Sequence, residues 1–379
     1  MKKNLILFII IISTSTALFA HEWDNYPVPA NAGTGKVWEL QENQSDDFNY
    51  IYQPVSGPAT IGDKWTNYYH NSWTGPTPTI WRYNHVYTAD GQLKIKTSRP
   101  TGSTSTYTGC ITSKQRVIYP VYVESYVKLA NSVMASDVWM LSPDETQEID
   151  ICEAYGGDRV GNEWFAQRLH LSHHVFIRSP FTDWQPTDGG SWYVNGTTWR
   201  NDFHRIGVYW IDPWNLEYYV DGVKVRTRSG VNEIDPLNYL GGTGLNKELD
   251  IIINMEDQTW RANQGLTPTL AELANEDNNT FKVEWIRIYK PIINNTAVKM
   301  VNDITIQLYP NPSKDFVQVK SDKIIKQVVF CQLNGAVVKS EMVNNSTKNI
   351  SVKEMNSGLY LLKIESEDGN WTIKKLVKE

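Results

Sequence analysis

Three carboxylates within six residues, Glu148, Asp150 and Glu153, are the side chains in this chain best spaced to do chemistry. They stand in Glu148-Ile149-Asp150-Ile151-Cys152-Glu153, interleaved with apolar or soft residues. In a strand, residues i and i+2 share a face, so Glu148 and Asp150 point one way and Glu153 the other. A β-bulge at Ile151 and Cys152 inserts the residue that returns Glu153 to the face of the other two. Clustered carboxylates repel and raise one another's pKa, so folding alone gives no reason to line them up. By spacing alone a solvated acidic edge strand stays open. A retaining glycosidase supplies a reason: one carboxylate is the nucleophile and a second, protonated one is general acid and then base, about 5 to 5.5 Å away. A third acid between them holds a proton or a hydrogen bond and keeps the outer two apart in pKa.

The elements that must carry this stretch read as all-β from His21 to about Ile292. Short runs of Val, Ile, Tyr, Thr and Trp alternate with turn residues every 8 to 15 positions, the pattern of a sandwich. Asp90-Gly91 and Asp221-Gly222 each join two alternating runs, which predicts two tight hairpins. Residues 117–129 read as another strand pair. The one helix-like stretch is 267–275, with Thr267 as N-cap and Pro268 in the first helical position. Fifteen Trp and twenty Tyr exceed what a core requires. On a hydrophilic chain such rings suggest surfaces that stack on the CH faces of sugars. A net charge of −6 without a basic block argues against a nucleic-acid partner. Cys110, Cys152 and Cys331 lack metal-site spacing, so neither a disulfide framework nor a zinc site is expected, and Cys152 reads as a packed thiol.

At the acid-rich strand the chain resembles glycoside hydrolase family 16, whose bulged signature Glu-x-Asp-x-x-Glu is present as Glu148 to Glu153. Within that family it is most similar to the β-agarases, over about residues 35–291. The stretches 69–76, 109–114, 137–142, 144–148, 173–178, 244–247 and 256–260 carry the likeness. The resemblance implies a curved jelly-roll sandwich with a cleft on its concave face, cutting β-1,4 galactosidic bonds of an agar-type galactan with retention. It implies Glu148 as nucleophile, Glu153 as acid/base and Asp150 as the helper between them. It also implies Trp73 and Trp139 as stacking platforms, and His173, Arg178 and Glu256 as polar contacts to sugar hydroxyls. The bland alternative is core packing for either Trp, a structural histidine for His173, an ion pair with a cleft or loop carboxylate for Arg178, and a strand-end surface charge for Glu256. Porphyranases of the family place an Arg six residues before the nucleophile to hold a sulfate ester. Here that position is Ser142, which favours neutral agarose, with porphyran as the alternative and a non-catalytic galactan-binding protein as a second. Arg82 would also suit a sulfated sugar. No cofactor is required. A structural calcium ion is common in the family, and Gly91 and Glu284 are its candidate ligands here.

Residues 1–20 read as a signal peptide: Lys2 and Lys3, a short apolar run, then small residues ending at Ala20. That run is too short to span a membrane. The catalytic domain is then expected at 21–292, a linker at 293–303 and a small C-terminal β-sandwich at 304–379. The last unit is rich in Lys and has no clustered acids. Its Tyr309-Pro310-Asn311-Pro312 opening, Ser357-Gly358-Leu359-Tyr360 and basic end resemble the sorting domain of the type IX secretion system. That resemblance implies passage through the secretion machinery to the medium or the cell surface.

Overall fold

A computed structural model describes residues 21–294 and 305–379, except 334 and 370. The proposed signal peptide lies outside the described residues, as does most of the proposed linker. The chain divides into two compact units between Ile293 and Asn294.

The first unit is a sandwich of two antiparallel sheets. In one, the strands Val223–Ser229, Asn215–Val220, His204–Asp212, Val121–Lys128, Thr280–Ile293, Gln92–Lys96 and Val86–Ala89 lie in that order, and Lys36–Leu40 pairs alongside Thr280–Ile293. In the other, Gln147–Ala154 (the acid strand) lies between Arg168–Arg178 (the histidine strand) and Ala135–Leu141 (the tryptophan strand). The strand Asp250–Glu256 follows on the far side of the tryptophan strand. Alternation sorts each strand in two. Ile149, Val138, Leu171 and Ile253 point into one continuous core with Val123, Val208 and Ile286 of the opposite sheet. Each such side chain stabilises the fold by about 1.5–3 kcal/mol on burial. The residues between them face the other way.

Both Asp-Gly turns form as expected. Asp90 and Gly91 take φ of 58° and 71°, Asp221 and Gly222 take 49° and 81°. Positive φ at both central residues matches the twist of a two-residue hairpin. Residues 117–129 hold one strand, not a pair: Val117 makes only an isolated bridge to Leu249, and pairing starts at Val121, after Pro120. The helix is a single turn, Leu270–Leu273, capped by Thr269 through a capping box with Glu272 rather than by Thr267. Thr267 instead serves Asp257, to which its hydroxyl donates.

The second unit pairs Ile306–Tyr309, Phe316–Cys331, Gly358–Ser366 and Trp371–Lys378, with Val337–Ser351 beside Phe316–Cys331, in one five-stranded sheet. Phe316–Cys331 loses register between Lys320 and Ile325. Residues from both sides of that break, Val317, Val319, Val328 and Phe330, meet Leu362, Ile364 and Leu376 in one core. All three cysteines are buried and free.

Candidate active site

The acid strand pairs regularly with both neighbours except at one place. Val138 faces Cys152 and Trp139 faces Asp150, so Ile151 has no partner on that side. On the other side Asp150 faces Ser172 and Glu153 faces His170, so Ile151 and Cys152 stand against Leu171 alone. This is the expected bulge. Ile151 and Cys152 both enter the core, and Glu148, Asp150 and Glu153 line one cleft of about 1200 Å³.

The histidine strand supplies the partners of the acids, and here one expectation fails. His173 pairs with Ile149, is fully buried on the core side and bonds the Ile234 carbonyl at 3.1 Å. Burial holds its imidazole neutral, with the pKa down at about 3. It is a packing residue and cannot touch sugar. Its neighbours on the opposite parity, His170 and His174, line the cleft. Leu169, Leu171 and Val175 share the parity of His173, a signal already present in the sequence.

His174 Nε2 lies 3.5 Å from Asp150 Oδ2 and 3.9 Å from Glu148 Oε1, while its Nδ1 is 2.9 Å from Asp183 Oδ1. Burial opposes its charge, but Asp183, Glu148 and Asp150 together lift its pKa to about 10. It is therefore a fixed cation behind the first two acids. Burial and the neighbouring Asp150 push Glu148 well above the usual carboxylate range, and burial raises Asp150 too. Burial and mutual repulsion thus favour a proton on this pair. Glu153 is held the opposite way. Its Oε2 is 2.5 Å from His170 Nδ1, and its Oε1 is 2.5 Å from the Tyr155 hydroxyl and accepts from Gln258 Nε2 at 2.7 Å. Burial favours its protonated form, but the His170 charge and these hydrogen bonds outweigh it and bring the pKa to about 2.

Rings flank the acids on both sides. Beside the Glu148 end, Trp73 is 48% exposed and stands edge-on to Tyr69 and Trp81, each at 5.5 Å. Trp139 donates its Nε1 to Asn254 Oδ1 at 2.6 Å, which fixes the plane of its ring. Beside Glu153, Trp192 packs on His170 at 4.5 Å and Trp260 donates to Gln258 Oε1. Arg178 and Glu256 both line the cleft. The Arg178 guanidinium is engaged by Glu145 at 2.6 Å, and Glu145 also accepts from Asn71 and Tyr69. Burial lifts the Glu256 carboxyl to about 8. Ser142 is buried, with its hydroxyl donating to Asp144 and accepting from the Thr146 and Gln147 amides. Arg82 lies over the Tyr107 ring and does not line the cleft. Sequence reasoning missed His170, Tyr155, Gln258 and Glu145; His170 and Gln258 reach Glu153 only through the meeting of distant segments, whereas Tyr155 follows it by two residues.

Gly91 and Glu284 lie away from the cleft. Glu284 accepts from Gln92 Nε2 at 3.0 Å, and its carboxyl, raised first by burial, is in hydrogen-bond contact with Glu22. Two carboxyls in such contact must hold a proton or a cation between them. Carboxylate oxygens are the donor type calcium takes, and these two would supply part of its shell.

The profile of the family described as Beta-porphyranase A-D, GH16 domain, matches residues 38–291, and that of the Secretion system C-terminal sorting domain matches residues 307–379. A β-agarase of Phocaeicola plebeius is 62% identical over 286 residues, 71% of this chain and 90% of that protein. β-Agarase B of Zobellia galactanivorans is 52% identical over 294 residues, 72% of this chain and 83% of its own length. The crystal structure of an inactivated mutant β-agarase B in complex with agaro-octaose aligns with a TM-score of 0.69 at 51% identity, covering 72% of this chain and 100% of that one. β-Porphyranase E of Zobellia galactanivorans is more distant, 27% identical over 272 residues, 67% of this chain and 88% of that protein. The C-terminal unit marks the protein as secreted or held at the cell surface. The bulged acid strand, the ring-lined cleft and these matches agree: the chain belongs to glycoside hydrolase family 16, among its β-agarases, and is a retaining glycoside hydrolase with a secretion sorting domain at its C-terminal end.

Proposed function

We propose that this hydrolase cuts within agarose chains at β-1,4 galactosidic linkages, with Glu148 as nucleophile, Glu153 as acid/base and Asp150 between them. The charge of the cleft carries the choice of agarose over porphyran. Among the described residues lining it are six carboxyls (Asp137, Glu145, Glu148, Asp150, Glu153 and Glu256) and one guanidinium, Arg178, already engaged by Glu145. A sulfate ester entering such a cleft finds no free cation to hold it, since Arg178 is engaged by Glu145 and His174 by Asp183, Asp150 and Glu148. A neutral galactan meets hydroxyl partners and rings. Aromatic surfaces on both sides of the acids suit a chain that runs through the cleft, hence cutting within it.

As the anomeric carbon gains positive charge, a proton on the Glu148–Asp150 pair settles on Asp150 and Glu148 attacks as the anion. Glu153, which must first take up a proton, gives it to the departing oxygen as that bond breaks and, again as carboxylate, draws the proton from water in the second half. Agarose and porphyran incubated side by side with the protein test the reading. Reducing ends are expected from agarose alone, and Glu148→Gln and Glu153→Gln should each lower kcat about 10²- to 10⁴-fold while binding persists. Release from porphyran at an equal rate overturns the substrate, and full activity in either variant overturns its role. A calcium ion held by Gly91 and Glu284, with the Glu22 carboxyl beside them, is part of the same proposal, as a structural element only.

A further inference from the structure

Asp137 is a buried acid for which the mechanism above has no use. It lies on the tryptophan strand directly across from Glu153, and on its other side it pairs with Asn254. Directly opposed residues on antiparallel strands have Cβ atoms about 5 Å apart. Asp137 therefore stands beside the acid/base glutamate on the cleft face, only 6% exposed. Its two oxygens are not equivalent. Trp139 Nε1 donates to Asn254 Oδ1, so the Asn254 amide must turn its nitrogen the other way, and it donates to Asp137 Oδ2 at 2.9 Å. Oδ1 is buried with no hydrogen-bond partner.

We propose that Asp137 is a positioning residue for the acid/base step: pinned through Oδ2, it carries a proton on Oδ1 in the pocket beside Glu153 at neutral pH. An ionised Asp137 would leave a bare negative oxygen in a dry pocket, opposite a second carboxylate, which costs more than retaining the proton. Its surroundings push the same way. Glu153 and Asp150, with the Cys152 thiol and the Tyr155 hydroxyl, approach from the acid strand and its extension, Glu256 from the strand beyond Asn254, and the Cys110 thiol from the next. Burial, then Glu153, Glu256 and Asp150, hold the Asp137 carboxyl far above the ordinary range. The consequence is functional. His170, Tyr155 and Gln258 hold Glu153 as carboxylate in the free site, whereas the first chemical step needs a proton there. The neighbouring neutral acid keeps one at hand and delays its loss to solvent as pH rises.

The inference rests on Glu153 being the acid/base, and the experiment separates the two. Asp137→Asn keeps the acceptor for Asn254 and removes the titrating group. Its pH profile of kcat/KM on agarose should lose the basic limb at least one unit earlier than wild type. That is about a tenfold deficit at pH 8 that closes on acidification, because one pH unit is a factor of ten in protonation. A profile that superimposes on wild type, or a loss uniform across pH, overturns the proposal, since packing or sugar contact alone would do that. If the variant does not fold, Asp137→Ser, which also removes the titrating group, is read in the same way. An active Glu153→Gln would sink the underlying role, whereas an inactive one with an unmoved Asp137→Asn limb sinks only this inference.

Discussion

At the scale of the residue, one step of parity separates a structural histidine from a functional one. His173 and His174 are adjacent, yet strand alternation sends the first to the core and the second to the acids. His174→Gln should therefore abolish most activity, whereas His173→Gln should spare kcat and lower Tm. The pH dependence of stability follows from His174. Its folded pKa of about 10 lies above the unfolded value of about 6.5, so its charge contributes fully below pH 6.5. That contribution is lost as pH rises through about 10. Asp183→Asn, which removes the partner at 2.9 Å, should lower Tm most below pH 6.5, with the gap to wild type closing toward pH 10. Thermal melts across that range check it, and a gap constant with pH would contradict the ion pair.

The bulge is the element on which the site depends. It inserts one residue, Ile151, on the side facing the tryptophan strand, and the ladder resumes in register after it. Deleting Ile151 restores plain alternation, Glu-x-Asp-x-Glu, so all three acids still face the cleft and the fold should persist. The spacing changes by about one strand step of 3.3 Å. Displacement of a reacting group by an ångström costs about a hundredfold in rate, so kcat should fall at least that far, beyond the drop in Tm that the lost burial of Ile151 brings. A deletion that keeps full activity would show that the bulge does not set the spacing. On the opposite sheet, the contact of Glu22 with Glu284 makes its own prediction. Calcium should raise the Tm of the wild-type protein, and Glu284→Gln should erase that rise; a melt indifferent to calcium removes the ion from the account.

For the whole molecule, two separate cores mean two separable tasks. The cleft draws all of its described lining from the first unit, and the second unit packs its own Val317, Phe330 and Leu362. A chain ending at Asn294 should cut agarose with kcat/KM within about twofold of the full chain, because a unit with its own core folds without its neighbour. The same truncated gene should leave the enzyme unsecreted in a host carrying the matching secretion system. Within the first unit, Arg287 and Glu124 form a fully buried ion pair, and Arg287 also donates to the Trp23 carbonyl of the N-terminal segment at 3.0 Å. Removing one partner strands a buried charge, so Glu124→Ala should destabilise by about 3–5 kcal/mol in denaturant titration.

By itself the chain determined what is local in sequence. The acids and their bulge, the two Asp-Gly hairpins, the sandwich class and the two-unit division all follow from alternation and turn chemistry within a dozen residues. Tertiary structure decided what needs distant segments to meet: His170 and Gln258 on Glu153, Asp183 behind His174, Glu145 on Arg178, and Asp137 across from the acid/base. Residue type and spacing fix which face of a strand a side chain takes. They do not fix which strand lies next to it, and the charge of a carboxyl is set by those neighbours.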